Sequence, residues 1–133
     1  MKKSIFLLGL LFATFAHGAA MNIKITLDNQ VVSATLEDNP TSQDFIKKLP
    51  LEIELEDYAG KEKIFSVGKL STKNAPSRYQ GQKGDITYYA PWGNMALFYG
   101  TDNPNASGLI YLGKINGDIS LLKKAKTIKI EKN

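Results

Sequence analysis

The chain has 133 residues, 17 basic and 13 acidic, for a formal charge of +4, with no cysteine and a single histidine, His17. These absences exclude disulfide and thiol chemistry. Beyond residue 17 they also exclude a Ser-His-Asp triad and any zinc site built on His or Cys. Carboxylates, lysines, tyrosines, hydroxyls, backbone amides and one arginine, Arg78, are left to carry function.

Met1-Lys2-Lys3 is a short cationic start, Ile5 to Ala16 is an apolar run, and Gly18-Ala19-Ala20 is small. This is the three-part pattern of a secretory signal peptide, residues 1–20, with cleavage before Ala19 or Met21. The apolar run is shorter than the roughly 20 residues a membrane-spanning helix needs. Export to the periplasm or beyond is therefore expected, with no stable membrane insertion after cleavage. Residues 21–133 are the length of one domain. Removing Lys2 and Lys3 leaves 15 basic and 13 acidic residues, a formal +2. Lys123, Lys124, Lys126, Lys129 and Lys132 gather near the end. They read as a solvated face guarding an edge strand, or else as a site for an anionic partner. Export and the single arginine argue against nucleic acid as that partner.

In Met21–Leu27 apolar and polar residues alternate, which predicts a strand. Asp28-Asn29-Gln30 is a turn, and Val31–Leu36 returns. Asn39 with Pro40, or Thr41 with Asp44, opens a helix whose apolar stripe is Phe45, Ile46 and Leu49, and Pro50 stops it. Leu51 to Glu56 alternates perfectly and predicts a half-buried strand with three carboxylates outward. Asp57 to Gly60 turns the chain, and Lys61–Val67 is the return strand. Leu70 to Gly84 is polar and aperiodic and reads as a long loop. Two strands flank the Pro91-Trp92-Gly93-Asn94 turn. Asp102–Gly108 reads as a loop, Leu109–Ile115 as a strand, Ile119–Lys124 as a short helix capped by Asp118, and Thr127–Glu131 as the closing strand. About eight strands with one or two short helices predict a mainly β protein: a closed or nearly closed eight-stranded barrel with capping helices.

Several motifs then fall into a recognisable order: Asp38-Asn39-Pro40-Thr41, Phe45, Leu49-Pro50-Leu51, Leu55-Glu56-Asp57-Tyr58, Gly84-Asp85, Tyr88-Tyr89-Ala90-Pro91-Trp92-Gly93-Asn94, Gly108-Leu109-Ile110 and Leu112-Gly113. In order and spacing they resemble the bacterial cyclophilin-like domain family, over nearly all of residues 21–133. The resemblance implies a small cyclophilin-type β-barrel with capping helices. True cyclophilins are peptidyl-prolyl isomerases whose active face carries a Phe-His-Arg-type strand and a Gln-Phe-Phe-type strand. This chain has no Phe-His-Arg, so no catalytic residue is carried over.

The candidate ligand-binding residues are Tyr58, Arg78, Tyr88, Pro91, Trp92 and Asn94. Trp92, the only tryptophan, is either a stacking platform at a groove or a packed turn residue. Tyr58, Tyr88 and Tyr89 are candidates to line a pocket. Of Tyr88 and Tyr89, strand alternation turns one inward and the other outward. Pro91 stiffens the turn. Asn94 orients a ligand or serves the turn, and Arg78 anchors a carboxylate or sits idle on the surface. The Leu70–Tyr79 loop is the expected neighbour of the site. Asp38, Asp57 and Asp85 are candidates for a hydrolytic carboxylate pair, but each adjoins a turn or helix start, where Asp serves local hydrogen bonds. The expectation is an exported, non-enzymatic module for a small molecule or an extended peptide, with no cofactor or metal. The alternative is a weak peptidyl-prolyl isomerase.

Overall fold

The structure is a computed structural model, and it describes residues 19–133. The signal-peptide reading falls on residues that lie, except for Ala19 and Ala20, outside this range. Strands β1 (Met21–Leu27) and β2 (Gln30–Leu36) form the first hairpin, with Ile25 opposite Val32. Their alternate residues Ile23, Ile25, Ala34 and Leu36 are completely buried. Burying each of the larger side chains contributes about 1.5–3 kcal/mol. Helix α1 (Pro40–Ile46) uses the first of its two possible caps: Asn39 Oδ1 accepts from the Ser42 amide at 2.8 Å. Thr41 instead donates its hydroxyl to the Ser71 carbonyl. Phe45 and Leu49 face the core, with Ile46 at its margin.

Next come β3 (Leu51–Glu54), β4 (Glu56–Tyr58), β5 (Glu62–Ser66), β6 (Arg78–Gln80), β7 (Asp85–Tyr89), β8 (Asn94–Phe98), β9 (Asn105–Ser107), β10 (Leu109–Asn116), helix α2 (Ile119–Lys124) and β11 (Thr127–Lys132). Nine strands make one antiparallel sheet in the order β3-β11-β1-β2-β10-β7-β8-β5-β4. Its two outermost strands are consecutive in the chain, joined only by Leu55, whose amide still donates to the Lys126 carbonyl. β3 and β4 are thus one stave that leaves β11 and joins β5. The result is a nearly closed barrel of eight staves, with its seam at this transfer.

The seam alters the expected pattern of Leu51–Glu56. Leu51 and Leu55 pack against the core, but Ile53 is exposed. β3 has a neighbour only in β11, and β4 only in β5, so the inner face of this stave is incompletely covered. β11 pairs on both sides, with β1 and β3. Its lysines Lys129 and Lys132 are exposed, but they guard no edge.

Two segments read as loops pair with each other: β6 and β9 form a two-stranded ribbon, with Tyr79 opposite Ala106. The ribbon lies over a small second cluster of Ala96, Phe98 and Leu109. The ladder between β10 and β7 shifts register between Tyr111 and Gly113, and at Gly113 β10 also pairs with Leu36 of β2. A Cβ at Gly113 would lie 2.1 Å from the Thr35 carbonyl oxygen, so only glycine permits this approach.

Candidate functional site: an aromatic groove at the barrel seam

The β7–β8 hairpin turns through Ala90-Pro91-Trp92-Gly93. The Gly93 amide donates to the Tyr89 carbonyl at 3.0 Å, and Gly93 closes the turn at φ +66°, a conformation that suits glycine. The turn is fastened on both sides. The Gly93 carbonyl accepts from the amides of Val67 and Gly68, each at 3.0 Å, and the Ala90 amide donates to the Gly108 carbonyl at 2.9 Å. The Pro91 ring abuts Gly108 so closely that a Cβ there would lie 2.7 Å from Cδ. This rigid turn carries Trp92, which is 58% exposed.

Trp92 packs edge-to-face against two tyrosines. Its ring centroid lies 5.5 Å from Tyr58 at 84° and 5.3 Å from Tyr89 at 80°. Tyr58 comes from the end of β4, where a turn through Ala59 and Gly60 sets it opposite Glu62. The rings border a groove of about 220 Å³. Its floor is Ile64, Phe98 and Leu109, its far wall Pro104 and Ala106, and Glu62 and Asn94 supply its polar groups. On the other side of the indole lies a second depression of about 380 Å³, between Ile53, Glu54 and Glu56 on the splayed stave and Ile64, Phe65 and Ser66 on β5. Trp92 and Asn94 border both.

Glu62 is half-buried, and that burial raises its carboxyl above the usual carboxylate range. Its two lysine neighbours are engaged elsewhere. Lys61 Nζ donates to the carbonyls of Thr101 and Asp102. Lys63 Nζ donates to the Ala125 carbonyl at 3.0 Å and lies 3.7 Å from Asp57.

The groove therefore brings together three of the six residues singled out from the sequence: Tyr58, Trp92 and Asn94. The Asn94 side chain is buried and donates to the Met95 carbonyl at 3.0 Å. Pro91 buttresses the turn without lining the groove. Tyr88 points into the core, 2% exposed, where its hydroxyl donates to the Gly68 carbonyl and accepts from the Leu70 amide. It thus anchors the loop that was expected to border the site. Arg78 is exposed on β6, which is a strand and not a loop, and it lines neither depression. Tyr89, named with Tyr58 and Tyr88 as a possible pocket residue, also lines the groove, whereas Glu62 was not singled out. Strand parity places Tyr89 opposite in direction to Tyr88, and the β4–β5 register pairs Glu62 with Tyr58. Neither becomes a choice until one knows which face is the core.

The three aspartates serve separate local networks. Asp38 accepts from the Gln43 amide nitrogen, and Asp57 from the Tyr99 hydroxyl. Asp85 is fully buried. Its Oδ2 accepts from the Tyr79 hydroxyl at 2.6 Å and the Gln82 amide at 2.7 Å. Lys114 Nζ stands 2.6 Å from Oδ1, an ion pair outside hydrogen-bonding angles. Burial, and then the bond to Asp85, pushes the Tyr79 hydroxyl well above its ordinary value. A buried carboxylate so compensated ties β6, β7 and β10 together. It gives Gly84-Asp85 a structural purpose.

None of the curated proteins matches the sequence. Among solved structures, the solution structure of a hypothetical protein from Archaeoglobus fulgidus is similar in fold. Its TM-score is 0.63 at 19% identity, over 88% of this chain and 98% of that one. The profile of a family described as the cyclophilin-like family matches residues 25–131, from the first strand of the barrel to the last. With this match spanning the barrel, the chain belongs to the cyclophilin-like family.

Proposed function

We propose that this protein is an exported, non-enzymatic binding module that holds a small molecule or an extended peptide in the groove beside Trp92. One observation carries the reading: an indole more than half exposed, on a turn fastened from both sides, with two tyrosines packed on it above an apolar floor. An exposed aromatic cluster of this kind marks an interaction site more often than a surface accident. Rigid rings lose little conformational entropy when a ligand arrives. The groove's ionisable side chains are Glu62, Tyr58 and Tyr89, and no hydrogen bond joins any of them to a base or nucleophile that would start a reaction. The isomerase alternative needs a cationic donor over the bound prolyl amide, and Arg78 lies outside the groove.

The test uses the exported protein purified gently from its own compartment. Native mass spectrometry should detect a co-purifying small molecule or peptide, and Trp92→Ala should lose it while the barrel stays folded. Retention of the same species by Trp92→Ala would move the site elsewhere.

A further inference from the structure

We infer that the groove's ligand is a small organic cation, a quaternary or alkylated ammonium compound, held in the groove that Trp92, Tyr58 and Tyr89 line, beside the carboxylate of Glu62. This rests on the binding reading above and specifies its chemistry. Three observations carry it.

The first is charge. Glu62 lies in the groove, and Glu54 and Glu56 border the adjoining depression. Among the described residues, no lysine or arginine comes within ion-pair distance of any of the three. Yet the chain carries more basic than acidic residues. The lysines flanking Glu62 are committed to backbone carbonyls and to Asp57. The anionic spot is therefore left open on an otherwise basic protein.

The second is the rings. Aromatic faces attract cations through their quadrupole, best when water is partly excluded. Three aromatic side chains and an uncompensated carboxylate around one cleft suit a weakly hydrated cation better than a neutral or anionic ligand. The half-buried Glu62 carboxylate gains back, from such a cation, what desolvation costs it.

The third is size. A groove of about 220 Å³ accommodates an ammonium head group with a short chain. The inferred occupant is a free small molecule. A lysine side chain presented by a peptide shares the chemistry and is one arm of the test.

The experiment titrates the mature exported protein with choline, with its neutral isostere 3,3-dimethyl-1-butanol, and with a Gly-Lys-Gly peptide, following Trp92 emission and calorimetric heat. Choline should bind and shift the emission. The isostere should bind at least about tenfold more weakly, since it keeps the shape and loses the charge. Glu62→Gln should weaken choline about tenfold and leave the isostere unchanged. Trp92→Phe and Tyr58→Ala should each weaken choline roughly 2- to 30-fold. Glu56→Gln, at an exposed position, gives a second charge variant if Glu62→Gln melts early. It should weaken choline modestly and in a salt-dependent way. Equal affinity for choline and the isostere would overturn the cation inference while leaving an apolar binding groove. Binding of the peptide but not choline would overturn the free small molecule as occupant. No response to any probe, with a co-purifying ligand still lost in Trp92→Ala, would also refute the cation. The same silence with no such ligand would remove the binding reading itself.

Discussion

Trp92 and Tyr88 are four residues apart on one hairpin, yet truncating them should have opposite consequences. Trp92 is 58% exposed, so less than half of its side-chain area leaves water on folding. Truncating a fully buried Trp or Phe costs about 3–5 kcal/mol, so Trp92→Ala should cost about 1–2 kcal/mol, including its two edge-to-face contacts. Tyr88 is 2% exposed, and its hydroxyl joins the Gly68 carbonyl and the Leu70 amide. Tyr88→Ala should cost about 3–5 kcal/mol for the cavity, with about 1–3 kcal/mol more for the amide left without an acceptor. The assay is urea unfolding followed by far-ultraviolet circular dichroism, because Trp92→Ala removes the only tryptophan and with it the fluorescence signal. Wild-type emission should be red, as for an indole in water. A loss of 3–5 kcal/mol in Trp92→Ala, together with blue emission in the wild type, would refute the reasoning. Trp92 would then be a packing residue and the platform would not exist.

Four further outcomes follow from the same structure. Asp28 Oδ1 accepts from the amides of Lys126 and Thr127, and these bonds hold its carboxyl below the usual range. A depressed folded-state value means that the stabilisation is present above the unfolded value of about 3.9 and is lost as pH falls through the folded one. The stability gap between wild type and Asp28→Ala, measured by thermal melts from pH 7 to pH 2, should therefore narrow at the acid end. Gly113→Ala puts a methyl 2.1 Å from the Thr35 carbonyl oxygen and 2.7 Å from Leu36 Cα, so it should cost at least about 3 kcal/mol or prevent folding, as read by urea unfolding. In exchange measurements on Ala-Pro peptides, micromolar protein should leave the barrier of about 20 kcal/mol nearly intact, and Arg78→Ala should change nothing; acceleration lost in that variant would restore the isomerase reading. The intact mass of exported material should correspond to a chain starting at Ala19 or Met21, and a retained apolar segment in the membrane fraction would contradict this.

Most of the barrel was legible because its strands are amphipathic on a two-residue period. Ile23, Ile25 and Leu27 announce β1, and Ile128 and Ile130 announce β11. Asn39-Pro40 and Asp118 announce the two helices through local capping chemistry. What could not be read was non-local. β6 and β9 are three residues each, Arg-Tyr-Gln and Asn-Ala-Ser, too short and polar to show a period, and they become strands only by pairing with each other. The transfer of one stave between two partners at Leu55 is equally invisible, because Leu51 to Glu56 alternates perfectly whether or not its inner face is covered. The site suffered from the same limit. Trp92 and Tyr58 stand out by residue type, but Glu62 is an ordinary glutamate until the register places it opposite Tyr58. Tyr88 looks like its neighbour Tyr89 until the core claims it.

The location of the depression beside the groove follows from how the barrel closes. An eight-staved sheet with one continuous stave shared by β11 and β5 must bend that stave where it changes partners, and the bend opens a wedge that core side chains do not fill. Ile53, Glu54 and Glu56 line one bank of that wedge, and Trp92 stands over it. The fully buried residues Ile25, Leu36, Met95, Leu97 and Leu112 belong to the other staves. Stability and surface chemistry are thereby carried by separate residues. Tyr58 and Trp92 remain largely exposed and contribute little to the core, so replacing them alters the chemistry of the seam at a cost the barrel tolerates. Phe45, Tyr88 and Gly113 allow no such freedom. The proposed cation site thus occupies a place on this barrel where aromatic rings and open carboxylates can be held rigidly without being needed to keep the chain folded.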